Sequence, residues 1–367
     1  MRKRTVLRLG AVVLLLALLA GCGTRESVTV LREWEPAGGE EAVASLGAEL
    51  PRIGMVADVG GIDDESFNQG AWEGLLALEK ATGAPVEYRT SESAEDFQGN
   101  FESLIAAGCR LTWGIGYEFS DTVQGEAVAH PELAFALVDA AYETTPDNVT
   151  CVVFRAEEPS FLVGYIAART TKTGKIGFVG GVEGENIAAF QYGYMAGAAY
   201  AGAQSGRPPE VLVEYAGSFV DPEAGKRLAG EMFAAGCDVV YHAAGATGIG
   251  VIQAAEEADA YAIGVDRDQA SLAPEHVLTS AVKNVGVAVN QVSQTFLSGG
   301  AIGGRTLSFG LAEGAAGIPE NHPLVDDQVY DDTLGVSDLI KAGDLTVPDT
   351  EEKYLEMVEE LGISNEQ

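Results

Sequence analysis

The stretch that decides the fold is Ala57-Asp58-Val59-Gly60-Gly61-Ile62-Asp63-Asp64-Glu65-Ser66-Phe67-Asn68-Gln69-Gly70-Ala71-Trp72-Glu73-Gly74. An apolar run over 52–56 enters it and reads as a strand; Ala71, Leu75, Leu76 and Leu78 then fall on one side of a helix predicted over 69–82. Between them lies a Gly-Gly turn followed by Asp63, Asp64 and Glu65. Acidic residues suit the positive end of a helix, so these three read first as capping groups, with Asp63 or Asp64 as the cap. Asp58 and the triplet Ser66-Phe67-Asn68 differ from them, because they stand at a strand's carboxyl end and at a loop-to-helix junction. An aromatic ring with polar flanks at that junction offers a stacking face and hydrogen bonds. The plain alternative for Phe67 is a plug in the core.

Outward from this unit the strand–helix grammar repeats. Strands are predicted over 111–114, 133–138, 149–154, 175–179, 211–215, 239–243, 260–265 and 277–281, and helices over 97–107, 160–170, 187–203, 222–235, 250–258 and 285–297. Alternation of this kind implies α/β architecture, with doubly wound parallel sheets and helices on both faces. An internal echo links 104–116, LIAAGCRLTWGIG, with 232–245, MFAAGCDVVYHAAG. Each is a helix end with glycine, a strand, and a glycine-bearing loop, which fits two related lobes with a cleft at the strands' carboxyl ends.

Length and charge bound the rest. A chain of 367 residues suggests about two domains. With 22 Lys+Arg against 55 Asp+Glu, the formal charge is −33, which repels polyphosphate and argues against nucleic acid as a partner. Arg2, Lys3, Arg4 and Arg8 precede an apolar run over 12–20 that is too short to span a bilayer and reads as a secretory signal peptide, residues 1–21. It ends in Leu19-Ala20-Gly21-Cys22, which resembles a bacterial lipobox. The resemblance implies acylation of Cys22, stable anchoring of the chain to a membrane, and residues 22–50 as a tether. Cys109, Cys151 and Cys237 remain; they read as small buried residues, with one disulfide possible, and no CxxC or Cys/His cluster suggests a metal site or other cofactor.

The opening stretch closely resembles the signature of the basic membrane protein family of lipoproteins, Asp-Val-Gly-Gly-Ile-Asp-Asp-Lys-Ser-Phe-Asn-Gln-Ser-Ala-Trp-Glu-Gly, with Glu65 in place of the Lys and Gly70 in place of the second Ser. The likeness continues through 113–121, 180–181, 190–197, 217–221, 243–250, 264–269 and 279–283. It implies a type I periplasmic-binding-protein fold of two lobes joined by a hinge, and a substrate-binding lipoprotein of an ABC importer on the extracytoplasmic face. It further implies a nucleoside ligand of the purine class, permease and ATPase partners, and a monomer that is not an enzyme. Lobe 1 is expected over 51–155 and 284–305, and lobe 2 over 156–283 and 306–367, with the last segment's lobe open. Carried over residue by residue, Phe67 stacks on the base while Asn68 and Asp139 read its edge. Asp58 supports the site with Ser66 beside it, and Asp266 and Lys283 hold the ribose hydroxyls. Phe190 or Tyr241 supplies the second ring, with Phe190 favoured, and Gly116, Tyr117 and Gly245 line the loops. Bland readings exist for Asp266, as a surface turn residue, and for Lys283, as a hinge ion pair.

Two other function classes are open from sequence. One is a binding protein for another solute, such as a sugar or a signalling molecule. The other is a nucleoside hydrolase, whose calcium motif overlaps Gly61-Ile62-Asp63-Asp64. Aligned on it, the two leading carboxylate positions are Ala57 and Val59, so the metal cluster is short of ligands.

Overall fold

The computed structural model describes residues 50–363, so the signal peptide, Cys22 and most of the tether lie outside the described residues. The first lobe opens with β1 (Arg52–Ala57), α1 (Phe67–Thr82), β2 (Val86–Thr90), α2 (Phe97–Ala106) and β3 (Cys109–Ile115), then continues with α3 (Ser120–Ala129), β4 (Ala134–Val138) and β5 (Val149–Phe154). The second comprises α4 (Glu157–Thr170), β6 (Lys175–Gly180), α5 (Glu185–Ser205), β7 (Glu210–Tyr215), α6 (Pro222–Ala234), β8 (Val239–Ala243), α7 (Thr247–Ala258), β9 (Tyr261–Asp266) and β10 (Val277–Lys283). The chain ends with α8 (Val285–Leu297), β11 (Arg305–Phe309), β12 (Ala316–Gly317), α9 (Asp327–Ala342) and α10 (Glu351–Glu360).

Two sheets result, ordered β2-β1-β3-β4-β5-β11 and β7-β6-β8-β9-β10-β12. Strand for strand they match, so the echoed segments β3 and β8 hold the same place in the two sheets. All pairings are parallel except β10 with β12. Each sheet is covered on both faces, as parallel sheets require. In the first, Ile53, Met55 and Ala57 face Leu75, Leu78 and Val289 of α1 and α8. The alternate Val56 faces Phe101, Leu104 and Val123 of α2 and α3. In the second, Phe178 and Tyr241 pack under α4 and α5, while Val179 and Val240 meet Leu228, Met232 and Val251 of α6 and α7. Val336, Ile340 and Val347, in and after α9, bury themselves against Phe161 and Tyr165 of α4, which seats the C-terminal segment on the second lobe.

The chain crosses between lobes at 155–156, at 284 and at 310–315. Because β11 pairs with β5 in the first sheet, that lobe runs to Phe309 rather than stopping at 305. The crossings are stitched together: Arg155 bonds Glu158 at 2.6 Å and the Ser308 hydroxyl at 3.0 Å and reaches Glu313, and the Asn284 N–H donates to the Ala315 carbonyl at 2.8 Å. The three cysteines are buried and unpaired, so no disulfide joins them.

Candidate functional site

The carboxyl ends of both sheets face one another, and a cavity of about 290 Å³ lies between them. Its lining follows from topology. Asp58 follows β1, Gly116 and Tyr117 follow β3, and Asp139 follows β4; from the other lobe, Gly245 follows β8, Asp266 ends β9 and Lys283 ends β10. Open α/β sheets present their ligand sites at such loops.

The start of α1 is set by Asp64. Its carboxylate accepts the backbone N–H groups of Ser66 at 3.0 Å, Asn68 at 2.8 Å and Gln69 at 3.0 Å. Asp64 thus does the capping work, although Ser66 stands at the helix boundary, and Phe67 and Asn68 are delivered into the cavity wall. Asp58 accepts from the Gly60 N–H and from the Asn68 amide, both at 2.8 Å. Burial nevertheless raises the Asp58 pKa above the ordinary carboxylate value, with those two bonds opposing it. The Asn68 carbonyl oxygen is buried without a protein partner.

Lys283 occupies the middle. Its ammonium pairs with Asp139 and lies 4.7 Å from the ring centre of Phe67, 5.1 Å from that of Phe154 and 5.6 Å from that of Phe190. Three aromatic faces and one carboxylate can hold a charge in so dry a place, since ring quadrupoles attract cations. The ion-pair reading of Lys283 therefore holds in this structure, and the same ammonium also reaches the cavity. Asp266 is partly buried in the cavity wall, and desolvation pushes its pKa up to about 6, while Lys283 and the Ser66 hydroxyl pull the other way. It is no surface turn residue. Asp139 and Asp266 both have positive φ, 63° and 65°, as does Glu65 at 51°; these are three of the four non-glycine residues with that conformation among the described residues. Such strain concentrates where a structure over-determines a site.

Ten of the sequence-predicted residues line this cavity: Asp58, Phe67, Asn68, Gly116, Tyr117, Asp139, Phe190, Gly245, Asp266 and Lys283. Two do not. Ser66 is buried behind the wall and donates its hydroxyl to Asp266 at 2.5 Å, so it acts on the cavity through that carboxylate. Tyr241 is 0% exposed; its position within β8 turns it under α4, where its hydroxyl meets Ser160 at 3.0 Å. Sequence reasoning missed Phe219, which follows β7 and lines the second-lobe wall. Its ring lies so close to Gly181 that a Cβ there would sit 2.3 Å from it. Its signal was the stretch 217–221, which carries part of the family likeness and stands in the loop after β7.

Residues 52–351 match the family model described as Bmp, ABC transporter substrate-binding protein PnrA-like. Basic membrane protein A of Borreliella burgdorferi is 39% identical over 322 residues, covering 86% of this chain and 93% of that protein. Basic membrane protein A1 of Borrelia garinii subsp. bavariensis is 38% identical over 321 residues, covering 86% and 94%. Among solved structures, an ABC transporter system solute-binding protein from Aeropyrum pernix K1 superposes with a TM-score of 0.75 at 26% identity, covering 85% of this chain and 97% of that one. Its two-sheet architecture is thus the type I fold of solute-binding proteins, and the chain belongs to the Bmp family of PnrA-like ABC transporter substrate-binding proteins.

Proposed function

We propose that this protein is a lipid-anchored, extracytoplasmic monomer that captures nucleosides, purine nucleosides foremost, and delivers them to the permease and ATPase subunits of its importer. The observation that carries the reading is the pairing of Phe67 from the first lobe with Phe190 and Phe219 from the second around a cavity whose polar groups include Asp266 and Lys283. A flat heterocycle fits between rings from facing lobes, with stacking worth about 1–3 kcal/mol per base. Asp266 and Lys283 then serve the pentose hydroxyls, each charged hydrogen bond adding about 1.5–3 kcal/mol. Asp58 and Asn68 sit on the Phe67 side, suited to the base edge, and Asp139 positions Lys283 through their ion pair. Because ligand groups come from both lobes, binding favours closure about the crossings.

Titration calorimetry with guanosine, inosine, adenosine, cytidine and ribose tests the reading. Purine nucleosides are expected to bind most tightly and ribose alone weakly. Equal or tighter binding of free sugars would transfer the protein to the sugar-binding class, and release of free base from inosine would make it a hydrolase.

A further inference from the structure

Outside the cavity a second set of contacts spans the lobes. Arg267, just past β9 in the second lobe, reaches the carboxylates of Glu65 at 3.6 Å and Glu73 at 3.4 Å, both in the first lobe. Beside it the Gln269 amide donates to the Glu65 carbonyl at 2.9 Å. Gln269 is held rigid for this: its side-chain oxygen accepts the Val265 N–H and faces His242 Nε2, both at 3.0 Å, and its own N–H donates to Ser280 at 3.1 Å. On the first-lobe side, Gln69 ties the two carboxylate-bearing residues together, accepting the Glu65 N–H at 3.2 Å and donating to Glu73 at 3.1 Å. None of Glu65, Glu73, Arg267 and Gln269 lines the cavity.

We propose that Arg267 is a positioning residue that clasps Glu65 and Glu73 across the cleft mouth and sets how long a bound solute is retained, without touching it. The proposal rests on the capture-by-closure reading. Two half-exposed ion pairs are individually modest, and together they shift an affinity by about 3- to 10-fold. The clasp also offsets a general cost, since a chain of net charge −33 closes two acidic lobes on one another. A nucleoside is uncharged, so a salt-dependent difference between variants reports this clasp and not the ligand.

The test compares wild type, R267Q, E65Q/E73Q and the triple variant by inosine calorimetry and stopped-flow release, with thermal melts to verify folding. R267Q is expected to weaken binding about 3- to 10-fold through faster release, and the triple variant to be no worse than R267Q alone. The gap between wild type and R267Q should close between roughly 0.01 and 1 M salt, as the screening length shrinks to about 3 Å. Unchanged affinity in R267Q, or losses that multiply in the triple variant, would overturn the clasp. A pair of fluorophores, one on each lobe, reads the closed fraction in ligand-free protein. Should inosine fail to bind wild type, the nucleoside reading falls, and the clasp stands or falls on whether R267Q lowers that fraction.

Discussion

Phe67 and Asp266 bear the most specific expectations. Replacing Phe67 by Ala removes the first-lobe stacking face and should weaken purine nucleoside binding by about 1–3 kcal/mol, or roughly 5- to 150-fold, by calorimetry. The same change at Phe190 or Phe219 identifies the second ring: the one whose loss matches Phe67 is the partner. Asp266 makes a pH prediction. Burial raises its folded pKa to about 6 from 3.8, so between those values the folded state binds more protons than the unfolded one, and its contribution to stability falls as pH rises. His242 works in the opposite sense. It is fully buried with its pKa lowered to about 4, so protonation penalises folding as pH drops from 6.5. The difference between wild type and D266N isolates the carboxylate. In urea titrations D266N should gain about 1–3 kcal/mol relative to wild type between pH 4 and pH 7 while binding nucleoside at least about tenfold more weakly. A pH-independent difference would show that Asp266 is not held in this desolvated state.

Helix contacts are set by glycine. Gly164 in α4 and Gly197 in α5 let the two helices touch at the backbone: a Cβ at Gly164 would lie 2.1 Å from the Tyr194 carbonyl, and one at Gly197 1.9 Å from that of Phe161. G164A should therefore cost at least about 1–3 kcal/mol of stability. Gly125 in α3 is the control, with nothing near its missing Cβ, and G125A should stabilise by about 0.5–1 kcal/mol. Legibility in the sequence followed the same division between buried and exposed. The buried strands and the helices α1, α5 and α8 showed themselves by apolar runs. The edge strand β2, half exposed along VEYRT, and the polar helix α3, SDTVQGEAVA, carry too weak a pattern to be seen. The two-residue β12 is shorter than any run periodicity can detect. In the site, residues at strand ends were readable because their place in the fold fixes their exposure. Tyr241 was not, because whether a strand residue faces the cleft or the helix layer depends on how far it lies from the strand's end. Ser66 looked like a ligand contact because Phe67 and Asn68 after it line the cavity; its target, Asp266, is 200 residues away and visible only once the lobes meet.

At the scale of the whole molecule, charge decides what the cleft accepts. The cavity wall carries the carboxyl groups of Asp58, Asp64, Glu118, Asp139 and Asp266 against the single ammonium of Lys283, which is already paired. A phosphate there would meet a negative field in a low-dielectric setting. Inosine monophosphate should therefore compete with inosine at least about a hundredfold less well, and competitive titration checks it. The crossings at 155–156 and 310–315 are bonded to one another through Arg155, Glu158 and Glu313, which makes them the place about which the proposed closure would turn.

The most direct measurement is a crystal structure of the protein grown with inosine. The purine is expected between Phe67 and a second-lobe phenylalanine, with the ribose hydroxyls on Asp266 and Lys283. A base seated away from Phe67, or a cleft that takes up no nucleoside at saturating concentration, would contradict it.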